Sequence, residues 1–403
     1  MRRALAAALA LGLCAAGPAR AALEAAPWAL PSGDGSAAQP SLAPAADGGL
    51  LLSWIARDAD GSHRLVVARA DAEGRFGAVR SAARGSDWFV NWADFPGLLE
   101  HGDGQLASFV LVKSGARPYA YSLALLRSAD AGDSWTAPAP VHDDGTATEH
   151  GFAALWPEPG GRLGIAWLDG RNTGAGGHGH DGGAMTLRAA VFGASGKERE
   201  WLLDDASCDC CQTDAAATAE GVVLVYRDRA PGEVRDIVLL RKDVGATGWS
   251  APVPVHADGW VMPGCPVNGP AVAADGARVV VAWYTAAGGQ PRLLLAESRD
   301  GGRHFAPPRV LAEGAAVLGR VDVGLAGEAV LASWLEETDA GQRLWLARLA
   351  DGALARQAVA TLAARGRASG FPRLAVRGGS AYLAWTDVVD GAPRLRGARV
   401  RLP

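Results

Sequence analysis

Short apolar runs, each closing on an aromatic ring, recur along the whole chain: LLLSW to Trp54, QLASF to Phe109, LGIAW to Trp167, VVLVY to Tyr226, VVVAW to Trp283, VLASW to Trp334 and AYLAW to Trp385. Runs this short, bounded by Gly, Asp and Pro, read as strands covered on both faces. The same unit is built around each of them. A strand opens near a Pro or an Asp, an Ala/Asp-Gly turn leads into the apolar run, and a polar loop leads on to a third strand. The seven aromatic residues stand 51 to 59 residues apart. That period, with three or four strands per unit, fits a β-propeller rather than a sandwich. No stretch keeps an apolar period of about 3.6 residues, so the fold class is all-β with few helices.

Seven units fit the chain, and the last ends at Pro403 after its third strand, Leu395 to Leu402. The segment Leu23 to Leu30 precedes the first unit and resembles the fourth strands at Trp135 to Val141 and Trp249 to Val255. This predicts seven four-stranded antiparallel blades, with the N-terminal strand completing the last one and removing the edges of an open ring.

Two stretches mark the turns between third and fourth strands. Ser128-Ala-Asp-Ala-Gly-Asp-Ser-Trp135 and Ser298-Arg-Asp-Gly-Gly-Arg-His-Phe305 share the pattern Ser-x-Asp-x-Gly-x-x-aromatic. In such a turn Asp130 and Asp300 accept from backbone amides, Gly132 and Gly302 take a positive φ, and Trp135 and Phe305 cover the hairpin. The pattern resembles the Asp box, or BNR repeat, of the sialidase superfamily. Sialidases have six blades, where the repeat here counts seven. The resemblance implies exo-hydrolysis of sialic acid, with three arginines on the sugar carboxylate, a Tyr nucleophile activated by a Glu, and an Asp as acid/base. The chain lacks the Phe/Tyr-Arg-Ile-Pro motif that carries the first arginine. Its equivalent strand is Gln39-Pro-Ser-Leu-Ala43, and spacing alone assigns no Tyr–Glu pair.

Chain direction alternates within a blade, so loops between strands two and three share a face with the crossings between blades. The Asp-box turns fall on the other face. The first face collects Asp94, Glu149, His150, Asp169, Arg171, Asp214, Arg227, Arg229, Arg235, Asn268, Arg320, Asp322 and Arg373, with Trp88, Trp92 and Trp260 as rings expected to pack between blades, stacking on sugars being the alternative. Loops held on a rigid scaffold concentrate binding and catalysis. This face is the expected site for a carbohydrate or other anionic ligand, either bound or hydrolysed by an exo-α-sialidase-like glycoside hydrolase. A docking surface for another extracytoplasmic protein is the alternative.

The net charge of -4 and the lack of a basic run leave no nucleic-acid partner to expect. Met1 to Ala21 reads as a signal peptide: Arg2 and Arg3, an apolar run too short to span a bilayer, then Ala19-Arg20-Ala21. Residues 22–403 then form one propeller domain, periplasmic or secreted, with no transmembrane segment after cleavage. Lipidation at Cys14 is disfavoured by the bulk of Leu13 before it. Cys208, Cys210, Cys211 and Cys265 remain, an even count that in an oxidising compartment means disulfides. Neighbouring Cys210 and Cys211 are poorly placed to bond each other, so one of them is expected to reach Cys265. The other reading is a Zn or Cu(I) site of four thiolates, joined by His150, His178 and His180 if the loops converge.

Overall fold

The computed structural model describes residues 23–33, 35–174 and 183–403. The leader, Cys14, His178 and His180 lie outside them. The described chain forms seven four-stranded antiparallel sheets. Their inner strands, Ser36–Pro44, Leu98–Gly102, His150–Glu158, Asp214–Ala217, Ala271–Asp275, Val317–Ala326 and Arg373–Arg377, follow one another around a central channel and close on themselves. This is a seven-bladed β-propeller. None of its described helices is long and apolar enough to cross a membrane.

The seven apolar runs are the second strands of the seven blades. Trp167, Trp283 and Trp334 are wholly buried, as are Phe109 and Tyr226. Each sheet is packed between two others, so its central strands are apolar on both faces and lose the alternation of a half-exposed sheet. The ring closes as the repeat predicts. Glu24–Pro27 pairs antiparallel with Ala392–Arg401, with Glu24 opposite Arg401, and so becomes the fourth strand of blade 7. Trp28 then locks the junction: its indole N–H donates to Gly74 O at 2.7 Å, and its ring stacks on Phe76 at 5.0 Å.

The two Ser-x-Asp turns join third to fourth strands in blades 2 and 5. In the first, Asp130 Oδ1 accepts from Ser134 N at 2.9 Å, Gly132 N donates to Ser128 Oγ at 2.9 Å, and Gly132 sits at φ 96°. In the second, Asp300 Oδ1 accepts from His304 N and Gly302 N donates to Ser298 Oγ, both at 2.9 Å. Trp135 and Phe305 pack on the neighbouring apolar clusters. These turns lie on the face away from the blade crossings.

Neighbouring blades are also latched by aspartates that the sequence nominates for a ligand. Asp94, Asp214 and Asp322 each reach across to an inner strand of the next blade, accepting from Phe152 N at 2.9 Å, Val272 N at 2.8 Å and Leu374 N at 2.8 Å. The inner strands bulge at the same level, where Gln39, Phe152 and Arg320 take left-handed backbones with φ of 58°, 53° and 56°. A bulge turns the strand and re-aims its side chains, and here it does so at the mouth of the channel.

Candidate functional site

The crossing from blade 3 to blade 4 carries Cys208, Cys210 and Cys211, and the next crossing carries Cys265. Gln212 ties the cysteine crossing to the blade 1 to 2 crossing, donating to Ala93 O at 2.7 Å, and to the blade 4 to 5 crossing, accepting from Gly269 N at 3.0 Å. Only a glycine fits at 269, since a Cβ there would lie 2.1 Å from Gln212 O. On the cysteine crossing itself three sulfurs converge. Those of Cys208, Cys210 and Cys211 all stand within 4.8 Å of one another. Cys208 Sγ donates to Cys211 Sγ at 2.8 Å, and Cys265 lines the same cavity as Cys210.

The structure departs from the expected pair of disulfides, for all four cysteines are free thiols. Three sulfurs are gathered within 4.8 Å of one another, and Cys208 donates to Cys211. Their environment separates them. Burial pushes the Cys208 thiol up to about 12. Burial opposes ionisation of Cys211 too, but hydrogen bonds from Cys208 and Cys210, the Arg227 charge and the Asn268 N–H hold it well below the usual thiol range. Cys211 is therefore the natural thiolate of the group.

The arginines expected to clamp an anion serve the scaffold instead. Arg227 is buried, with Nη2 donating to Asn268 O at 2.8 Å and to Tyr284 O at 2.7 Å, and Nη1 to Arg235 O at 2.5 Å. Arg320 is also buried, giving Nη2 to Gly366 O at 2.7 Å and Nη1 to Ser369 Oγ at 2.5 Å, and desolvation lowers its pKa to about 10. Arg373 pairs with Asp322 at 3.2 Å on the channel wall. Arg235 and Arg229 pair with Glu233 at 2.6 and 2.8 Å. Asn268 braces the blade 5 to 6 junction, accepting from Arg320 N at 2.8 Å. A planar guanidinium satisfies several convergent carbonyls at once, which explains why arginine stands at these crossings.

A Tyr–Glu pair is nevertheless present. Tyr121 Oη lies 2.8 Å from Glu149 Oε1 and 2.8 Å from Asp94 Oδ2, and all three residues are buried. Gly151 makes room for the Asp94 carboxylate, since a Cβ there would lie 1.9 Å from Oδ2. Burial raises Asp94 to about 7 and Glu149 well above the carboxylate range. Tyr121 is raised as well, first by burial and then by the two carboxyl groups. A phenol has a single proton to donate, so a second hydrogen bond at this oxygen requires one carboxyl group to be protonated.

Tyr121 and Glu149 line a cavity of about 190 Å³ together with Cys210, Cys265, Phe89, Trp92, Tyr119 and Arg367. One pocket thus joins the sulfurs to the tyrosine network. A larger cavity, about 810 Å³, lies at the Asp300 turn on the opposite face. Two of its arginines are already paired, Arg278 with Glu297 at 3.0 Å and Arg299 with Glu297 at 2.7 Å, and Arg309 donates to Gly352 O at 2.7 Å. The smaller cavity is the better site because buried ionisable groups and thiols converge on it.

His150 does not join the sulfur group. Its Nε2 faces Asp144 Oδ2 at 3.1 Å, and its ring stacks on His142 at 3.6 Å. Arg171 grips Asp169 beside them, Nε to Oδ1 at 2.7 Å and Nη2 to Oδ2 at 2.8 Å. His142 and Asp144 carry no pattern that singles them out in the sequence. Two of the supposed stacking rings are also buried, Trp88 and Trp260, the latter beneath the Arg227 guanidinium. Trp92 alone of the three reaches the cavity.

No protein-family model matches the chain, and no curated protein matches it in sequence. Among solved structures it is similar to a Dyadobacter fermentans protein of unknown function, with TM-score 0.53 and 16% identity over 92% of this chain and 95% of that one. It is also similar to the NanB sialidase of Streptococcus pneumoniae, with TM-score 0.46 and 11% identity over 92% and 69% of the two chains. A third is an α-L-arabinanase of Penicillium chrysogenum, with TM-score 0.49 and 13% identity over 76% and 92%. At these identities the likeness is one of fold.

Proposed function

We propose that this protein binds a soft metal ion, Cu(I) or Zn, through Cys208, Cys210 and Cys211, with Cys265 at the mouth of the site, on the channel-mouth face of a propeller that works outside the cytoplasm. The observation that carries this reading is the convergence of three unbonded sulfurs within 4.8 Å, with the fourth cysteine beside Cys210. Thiolates are the donors that select Cu(I) and Zn. Arg227 and Arg235 are close enough to act on these sulfurs by charge, and so offset the negative charge a thiolate site collects. The ion binds as thiol protons leave, which ties affinity to pH. The leader Met1 to Ala21 supports the extracytoplasmic placement. The test is thiol counting and metal analysis on protein purified without oxidation, followed by competition with a chromogenic Cu(I) chelator. One equivalent of metal, lost in a Cys208→Ser/Cys211→Ser variant, is the expected result. Zero free thiols and no metal would leave disulfides and end the reading.

A second reading keeps the carbohydrate ligand. The aromatic walls Phe89, Trp92 and Tyr119, with Arg367 at the cavity and the Tyr121–Glu149 pair, suit an anionic sugar. By resemblance to sialidases, hydrolysis would run through Tyr121 activated by Glu149. A fluorogenic sialoside and a glycan array test it together. No turnover from acid to neutral pH, with no glycan retained, would remove it.

A further inference from the structure

The four sulfurs are not equivalent. Cys208 and Cys211 are 1% exposed and Cys210 6%, while Cys265 is exposed. Cys210 and Cys265 line the cavity of about 190 Å³; Cys208 and Cys211 lie behind them. Cys265 stands outside the group of three mutually close sulfurs and is linked to it through Cys210. It also sits in a long irregular crossing, Met262-Pro-Gly-Cys-Pro266, between the strands Val253–His256 and Ala271–Asp275. Within that crossing Met262 folds back over Gly264: its terminal methyl is 3.3 Å from where a Cβ at 264 would stand. A thioether and an exposed thiol thus share one short loop, whose Cys265 lines the cavity in front of the buried sulfurs.

Resting on the soft-metal reading above, we propose that Met262 and Cys265 form an entry station for Cu(I), from which the ion passes by way of Cys210 to the buried Cys208 and Cys211. A thioether is a ligand for Cu(I) and not one of the Cys, His and carboxylate donors that hold Zn, so the pair selects the monovalent ion. The transfer is a ligand exchange. A bond from the ion to the Met262 or Cys265 sulfur breaks as one to a buried sulfur forms, the entering thiol gives up its proton, the departing Cys265 thiolate takes one up, and no electron moves. An exposed, loop-borne sulfur suits the exchangeable position, and the buried thiols suit the resting one.

The test is transfer of Cu(I) from a chromogenic bicinchoninate complex to the full-length protein, followed by stopped flow, with equilibrium competition measured in parallel. Cys265→Ser and Met262→Leu are expected to slow transfer roughly tenfold or more, within the one to three decades over which association rates of related variants move. Their equilibrium affinities should stay within about tenfold of wild type, whereas Cys208→Ser loses more than about 100-fold, beyond the usual cost of an outer-sphere partner. Met262→Leu conserves volume, so it isolates the thioether. Unchanged transfer rates in both variants would overturn the proposal. So would a Cys265→Ser affinity loss equal to that of Cys208→Ser, which would make the site a closed tetrathiolate. Wild-type protein that binds Zn but no Cu(I) would overturn this proposal alone, whereas protein that binds neither ion would defeat the metal reading itself, and this proposal with it.

Discussion

The Tyr121 hydroxyl stands 2.8 Å from the Glu149 carboxyl at the wall of the cavity, with Asp94 at the same distance on its other side. The phenol bridges two carboxyl groups on separate blade crossings. Replacing it, Tyr121→Phe, keeps the ring stacked on Phe89 and removes only the oxygen. The expected loss is ~1–3 kcal/mol, the usual cost of leaving a buried polar partner unmet. Urea denaturation near neutral pH measures it. An unchanged midpoint would mean that water replaces the hydroxyl.

The same network gives stability a pH dependence. Asp94 ionises near 3.8 when exposed and near 7 in the fold, so between those values the folded chain holds a proton that the unfolded chain has lost. Its contribution is therefore fully present below about pH 4 and is lost as pH rises through 7. Asp94→Asn cannot titrate. Wild-type stability relative to this variant should fall between pH 4 and 7, as read from paired urea melts. A flat difference across that window would show Asp94 ionised throughout.

Much of this fold is legible in the sequence because burial on both faces of each blade forces the second strands to be apolar, ending at Trp54, Phe109, Trp167 and their successors. The closure by Leu23 to Leu30 is legible for the same reason, since a chain ending on a third strand leaves an unpaired edge. The shared face of the four cysteines follows from strand alternation. The approach of Cys265 to the other three does not, because it depends on Gln212 and Gly269 drawing two crossings together. The latches hide for a different reason. Asp94, Asp214 and Asp322 stand where any turn aspartate would, and their partners are backbone N–H groups with no signature. Tyr121 reads as the first residue of an apolar strand, and only the ring geometry sets it beside Glu149. Arg227 and Arg320 look like an anion clamp because a guanidinium that serves three carbonyls is indistinguishable in sequence from one that waits for a carboxylate.

The latches predict a graded response. Asp214 accepts from Val272 N of the next blade and from its own neighbour Ala215 N, at 2.8 and 2.9 Å. Asp214→Ala removes both acceptors and should cost ~1–3 kcal/mol. Asp214→Asn keeps an oxygen of the same reach and should recover most of that. Thermal unfolding of the two variants decides it. Equal losses would mean that charge toward Arg373 matters more than the hydrogen bonds.

The Asp130 turn separates scaffold from site. Its carboxylate accepts from Ser134 N, Ser134 Oγ and Ser128 Oγ, and these bonds hold it down to about 2. A depressed carboxylate stabilises the fold above its ordinary pKa, and the contribution is lost as pH falls toward 2. Asp130→Ala should therefore lower the melting temperature at neutral pH and shrink the difference from wild type as the pH drops. Because the turn joins third to fourth strand, on the face away from Cys208 and Cys265, Cu(I) affinity per folded molecule should not change. Calorimetry at several pH values, with chelator competition on the same samples, makes both measurements. A stable variant that has lost its Cu(I) would place the metal on the Asp130 face and reverse the assignment of the two faces.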